Sequence, residues 1–165
     1  MAAQAGLRGV TVYVFDSSPL IDLFRHFYPA RFPSLWERFD DMVASGRIIS
    51  TREVRRELEG HGDRLSQWCK QNASVFAVPT GEELGFVAEI FRVPHFRTLI
   101  DKRRQLAGGA VADPFVIARA RCTEGCVVTG EKHKPNAGKI PNVCEHFGIE
   151  WTDLEGFMER EGWVF

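Results

Sequence analysis

The chain has 165 residues, enough for one compact domain with its own core and leaving little for a second. Hydrophobic residues make up 44% and charged ones 26%, which excludes a disordered or fibrous protein, and 13 Phe with 4 Trp furnish a core without disulfide staples. A net charge of −1 excludes a globally basic nucleic-acid binder, so any phosphate contact must come from a local patch.

The longest apolar run, Val10 to Phe15, is far short of the roughly 20 residues a transmembrane helix requires. The opening MAAQAGLRG holds no apolar stretch of signal-peptide length. The expectation is a soluble, cytoplasmic protein with no membrane partner. Its four cysteines, Cys69, Cys122, Cys126 and Cys144, are irregularly spaced and expected to be thiols. Cys122, Cys126 and Cys144 with His133 form a zinc-ligand alternative, disfavoured because their spacing is not that of a recognised zinc fold.

VTVYVF (10–15) is β-branched and apolar throughout, as a central strand covered on both faces must be. It stops at Asp16. SSPLIDLFRHFY then carries Leu20, Leu23, Phe24 and Phe27 at helical spacing, with Pro19 in the first turn, where a missing N–H costs nothing. Ser34 is expected to cap a second helix through Val43, with Leu35, Trp36, Phe39 and Met42 inward and Gly46 ending it. Arg47 to Ile49 reads as strand two. Ser50 or Thr51 would cap the helix TREVRRELEG that follows, and Gly60, His61 and Gly62 close it.

Next come a helix DRLSQWCKQN, a strand SVFAV ending at Pro79, and a helix from Thr80 towards Val93, broken by Pro94. His95 to Leu106 reads as a helix carrying Lys102, Arg103 and Arg104, and Gly108–Gly109 as a turn. AVADPFVIARARC is helical, with Val116, Ile117 and Ala120 as its apolar stripe. Cys126 to Thr129 is a short buried strand, Ile140 to Phe147 a helix started by Pro141, Ile149 to Trp151 a last strand, and Asp153 to Glu161 a closing helix. This alternation predicts one domain over 1–165, a three-layer α/β/α sandwich around a mainly parallel five-stranded sheet. Ligands of such sheets sit beyond the carboxyl ends of the strands.

Four acids map to that rim. Asp16 directly follows strand one, and Glu131 follows the CVVT strand across Gly130. Asp113 opens a late helix before Pro114, and Glu57 lies on the helix after strand two, four residues beyond Glu53. Each has a bland alternative: Asp16 and Asp113 as helix N-caps, Glu57 as a solvated charge, Glu131 as loop decoration. Their ordered placement is what single caps do not explain. Four converging carboxylates repel one another unless a cation is present, and hard oxygen ligands suit Mg²⁺ or Mn²⁺. Such a site activates water and neutralises charge on a phosphodiester.

The motifs resemble those of PIN-domain ribonucleases. VFDSSPLIDLF is similar to the strand-ending Asp and hydroxyl residue that open the domain, IISTREVRREL to the second motif with its Glu before Leu, ADPFVIARA to the third, and VVTGE to the Thr-x-acid fourth. The tail KIPNVCEHFGIEW resembles that of VapC-type toxins of toxin–antitoxin pairs. The resemblance spans nearly the whole chain. It implies a metal-dependent endoribonuclease with Asp16, Glu57 and Asp113 as metal ligands and Glu131 binding directly or through water. Ser17 and Thr129 would support them by hydroxyl hydrogen bonds, and Glu53 competes with Glu57 for the second-motif role. The family's fourth acid is more often Asp, so Glu131 departs from the pattern by one methylene.

The resemblance also implies an RNA substrate, an antitoxin protein that occludes the acidic site, and homodimers of a kind common among such toxins. Lys102, Arg103, Arg104, Lys132 and Lys134 are the candidate RNA contacts, with His133 and Arg52, Arg55 and Arg56 nearby. A haloacid-dehalogenase-like phosphatase is disfavoured, because the position two residues after Asp16 is Ser18. A response-regulator receiver needs an acidic pair near strand one, which Asp16 lacks. The alternative from another class is a PIN-fold module that binds RNA or protein without cutting.

Overall fold

The computed structural model describes residues 10–97 and 113–165. Its centre is a five-stranded, all-parallel sheet in the order β3-β2-β1-β4-β5. The strands are short: β1 Tyr13–Phe15, β2 Ile48–Thr51, β3 Phe76–Ala77, β4 Cys126–Val128 and β5 Trp151–Thr152. Between β1 and β2 run α1 (Ser17–His26) and α2 (Pro33–Ala44), and between β2 and β3 run α3 (Arg52–Leu58) and α4 (Asp63–Gln71). After β3 come α5 (Gly81–Phe91) and α6 (Asp113–Thr123), then α7 (Ile140–Phe147) before β5 and α8 (Leu154–Arg160) after it.

Side-chain alternation explains the layering. Tyr13 and Phe15 project to one face of β1, and both rings meet Phe157 of α8 edge-on, at 4.7 and 5.1 Å between centroids. The strand itself is fully buried, as its unbroken apolar sequence requires. α6 packs against β1, β2 and β4 with Val116, Ile117, Ala118 and Ala120 buried. A second aromatic group, Phe24, Trp36, Phe39, Trp68 and Phe76, ties α1, α2 and α4 to the β3 edge. Cys126 and Cys144 are free thiols inside the core, and burial pushes the Cys126 thiol up to about 11. No helix among the described residues is long and apolar enough to cross a membrane.

Several expected boundaries move. β1 pairs only over Tyr13–Phe15, because β2 and β4 begin opposite Tyr13. α2 starts at Pro33 with Phe32 as its N-cap and no side-chain cap bond, so Ser34 lies inside the helix rather than capping it. Pro at the first helical position supplies the preset φ and needs no N–H partner. The expected strand SVFAV yields two residues, since a 3₁₀ turn over Ala73–Val75 precedes β3. Thr51, not Ser50, caps α3, accepting from the Val54 N–H at 3.3 Å. α5 opens with a capping box in which Thr80 and Glu83 exchange bonds. The chain is helical again over 94–97. The expected remainder of that helix and the Gly108–Gly109 turn lie outside the described residues.

Candidate active site

The strand order reverses direction at β1. The chain leaves β1 towards β2 and β3, then returns to place β4 and β5 on the other side. Connections from the carboxyl ends of β1 and β4 therefore diverge and leave a crevice, where parallel α/β sheets bind ligands. Register pairs Phe15 with Val128, and the Asp16 N–H donates to Val128 O at 2.9 Å, so Asp16 and Thr129 emerge side by side at that crevice.

Asp16 is 4% exposed and is itself the N-cap of α1. Its Oδ1 accepts from the Ser17 N–H at 2.8 Å, and its Oδ2 accepts from the buried Thr129 hydroxyl at 3.0 Å. The cap and site interpretations of Asp16 thus describe the same side chain. The Ser17 hydroxyl donates to Glu57 Oε2 at 2.9 Å, drawing the α3 carboxylate towards the start of α1. The Glu131 N–H donates to Thr129 Oγ1 at 3.1 Å, and Glu131 Oε2 accepts from the Ile140 N–H at 2.7 Å. Ser17 and Thr129 therefore link acids contributed by three separate parts of the chain.

Electrostatics expresses the same proximity. The Asp16 carboxyl is raised to about 6, first by burial and then by the negative charges of Glu131 and Glu57; the Ser17 and Thr129 hydrogen bonds oppose the rise. Of the two candidate acids on α3, it is Glu57 that bonds Ser17 and acts on Asp16. Glu53 is buried and turned to Arg52, its Oε1 2.8 Å from the guanidinium, while its Oε2 is buried without a hydrogen-bond partner among the described residues. Asp113 is half-buried as the first residue of α6, the helix that crosses β1, β2 and β4. Among the described residues, no group of three or more His, Cys, Asp and Glu has a geometry that could hold a metal ion.

The basic material is unevenly placed. Lys132 and Lys134 are exposed on the loop leaving Glu131, and His133 Nε2 lies 3.1 Å from Glu145 Oε2 on α7. Lys102, Arg103 and Arg104 lie outside the described residues. Arg52 pairs with Glu53 and Arg56 is exposed on α3.

Three contributors escaped sequence reasoning. Ser18 Oγ accepts from the Gly130 N–H at 3.0 Å, and a Cβ at position 130 would stand 2.8 Å from that oxygen, so only glycine lets the two loops approach this closely. Ser50 Oγ donates to Phe15 O at 2.6 Å, fixing the backbone just before Asp16. The Ile140 N–H is the partner of Glu131. The doublets Ser17–Ser18 and Ser50–Thr51 at strand ends were the available signal: two successive hydroxyls at a parallel-strand terminus can serve as cap and cross-loop tie together.

No curated protein matches the chain. Among solved structures it is similar to a chain of one described as "Crystal structure of VapBC2 from Rickettsia felis bound to a DNA fragment from their promoter". The identity is 9% and the TM-score 0.45, over 86% of this chain and 98% of that one. A protein family described as "Domain of unknown function (DUF4411)" matches residues 13–165, from β1 to the last residue, and the chain belongs to that family.

Proposed function

We propose that the protein is a metal-dependent endoribonuclease that hydrolyses RNA phosphodiester bonds at the β1–β4 crevice. The observation that carries this is Asp16: a nearly fully buried carboxylate, raised to about 6 by burial and by two further carboxylates, at the topological switch point of a parallel sheet. A fold has no structural use for accumulating negative charge around a buried acid, whereas a cation offsets it.

The donor chemistry fits Mg²⁺ or Mn²⁺. Asp16, Glu57, Asp113 and Glu131 offer only hard oxygen ligands, and no Cys or His enters the set. When bound, the ion would supply an activated water and charge neutralisation on the scissile phosphate. Asp16, Glu57 and Asp113 would hold it, and Glu131 would do so directly or through water. Ser17 and Thr129 orient these carboxylates, since each hydroxyl bonds one of them. Lys132 and Lys134 would meet flanking phosphates without reading bases. The motif resemblance extends the proposal to a toxin controlled by an antitoxin whose basic side chain enters the acidic crevice, and to a homodimer. Co-purification of a small DNA-binding protein supports that extension; a freely expressed, non-toxic chain counts against it.

The second reading is a module that binds RNA or protein without cutting, favoured by carboxylates engaged within the protein, Glu131 with the Ile140 N–H and Glu53 with Arg52. Cleavage of a defined RNA panel in Mg²⁺ or Mn²⁺, with sites mapped, separates the two. Wild type should cut and Asp16→Asn should not. Equal cleavage by both removes the acid cluster from the reaction.

A further inference from the structure

After β4 the chain runs Thr129-Gly130-Glu131 and then through KHKPNAGK to α7. α7 has Lys139 as its N-cap residue with no side-chain cap bond, and Pro141 in its first turn lacks an N–H. The buried Ile140 N–H is satisfied instead by Glu131 Oε2, nine residues earlier, at 2.7 Å. This carboxylate does what an N-cap side chain does and places negative charge where the helix dipole favours it. The loop between the two is laced to α7 twice more. Asn142 Oδ1 accepts from the Lys134 N–H at 3.3 Å and Asn142 Nδ2 donates to Lys134 O at 2.7 Å, while His133 meets Glu145. At its other end Glu131 is joined through its N–H to Thr129, and Thr129 to Asp16. An Asp at 131 would be short of Ile140 by one methylene, about 1.5 Å.

We infer that Glu131, beyond any part it takes at the metal, is a positioning residue, a strut from the Asp16–Thr129 pair to the start of α7 that fixes the loop presenting Lys132 and Lys134 to a single-stranded nucleic-acid backbone. Its glutamate length serves this span. The consequence for substrate rests on the ribonuclease proposal; the strut itself does not.

Two substitutions at one position separate reach from charge. Glu131→Asp keeps the charge beside Asp16 but cannot span to Ile140, whereas Glu131→Gln keeps an oxygen at the right reach without the charge. Amide hydrogen exchange over 132–140 in metal-free protein is the primary readout. Affinity for a fluorescein-labelled single-stranded oligoribonucleotide in EDTA is the second. Glu131→Asp should speed exchange about tenfold or more, as expected for loss of a charge-assisted bond to a buried amide, and weaken oligonucleotide binding about fivefold through the displaced lysines. Glu131→Gln, which keeps the reach and loses only the charge assistance, should speed exchange by about threefold at most, clearly less than Glu131→Asp. Wild-type exchange in Glu131→Asp, or equal loosening in both variants, overturns the strut. Asn142→Ala, which leaves every carboxylate in place, serves if Glu131→Asp does not fold: it should speed exchange over 132–134 and weaken oligonucleotide binding, and no change in either overturns the loop's role. A wild-type chain that neither binds Mg²⁺ by calorimetry nor cuts RNA removes the ribonuclease proposal, while the Asp-against-Gln exchange pattern still decides the strut.

Discussion

Replacing Asp16 by Asn should stabilise the metal-free protein at neutral pH and not at acid pH. The folded-state carboxyl titrates near 6 against an ordinary 3.8. Between these values the folded chain binds more protons than the unfolded one, so stability falls as pH rises through that window. At 1.36 kcal/mol for each pH unit between them, the ionised carboxylate costs about 3 kcal/mol above pH 6.5. The side chain is almost fully buried, so solvent screening takes little from that figure. Asn keeps the acceptor for the Ser17 N–H but turns its amide N–H₂ towards Thr129 Oγ1, whose hydroxyl must then rotate, a loss of about 1 kcal/mol. The net expectation in EDTA is a gain of about 2 kcal/mol at pH 7.5, or a Tm rise of about 4–8 °C, and a loss of about 1 kcal/mol at pH 4, where Asp16 is protonated. Urea unfolding at pH 4, 5.5 and 7.5 measures this. With Mg²⁺ at a hundred times its Kd, wild type alone should gain about 2.7 kcal/mol. A variant destabilised by the same amount at pH 4 and pH 7.5 refutes the argument, because the penalty then does not come from charge.

Thr129→Val removes the hydroxyl that bonds Asp16 Oδ2 and so should raise the Asp16 titration further; the acidic limb of the cleavage pH profile should move to higher pH, and an unmoved limb would show that Thr129 does not tune Asp16. Gly130→Ala forces Ser18 Oγ away and breaks its bond to the 130 N–H, for a stability loss of about 1–2 kcal/mol by urea unfolding and a several-fold drop in cleavage; wild-type values in both would mean the loops separate freely. Tyr13→Phe deletes the 2.7 Å bond to Glu161, which keeps Arg47, so Tm should fall by about 3–6 °C with cleavage unchanged at permissive temperature.

Much of this was legible where local chemistry and tertiary context agree. α7 has the bounds its sequence announces, Ile140–Phe147, because Pro141 starts it and Gly148 ends it in the left-handed conformation. The five parallel strands follow from apolar runs alternating with helical periodicity. Strand lengths were not legible, since VTVYVF has strand propensity throughout but pairs only where Ile48 and Cys126 bring partners to Tyr13. Phe32 rather than Ser34 precedes α2 because Pro33 starts the helix without a hydroxyl cap. At the site, the order of the acids along the chain was readable, and Leu58 beside Glu57 favoured it over Glu53. The destination of each carboxylate was not. Glu53 turning to Arg52 and Glu131 to Ile140 are contacts between a side chain and whatever the fold brings past it.

The two ends of β1 divide the labour of the fold. At the amino end Tyr13 donates to Glu161, which also holds Arg47 at 2.8 Å, and Arg47 reaches Thr11 O. Burial and the Glu161 bond both push the Tyr13 hydroxyl up, so it remains a neutral donor across the physiological range and the clamp of α8 onto β1 does not titrate with it. Three residues on, at the carboxyl end, Asp16 sits in a surround that disfavours its charge. A buried acid of that kind survives only on a strand fixed elsewhere, because the energy it costs must be offset by packing that does not yield. The Phe157 edge contacts to Tyr13 and Phe15 supply such packing on the strand itself, at about 0.5–1.5 kcal/mol each beyond burial. Weakening the amino-end clamp should therefore lower stability without altering the Asp16 titration, whereas changes at Ser17 or Thr129 should alter the titration first.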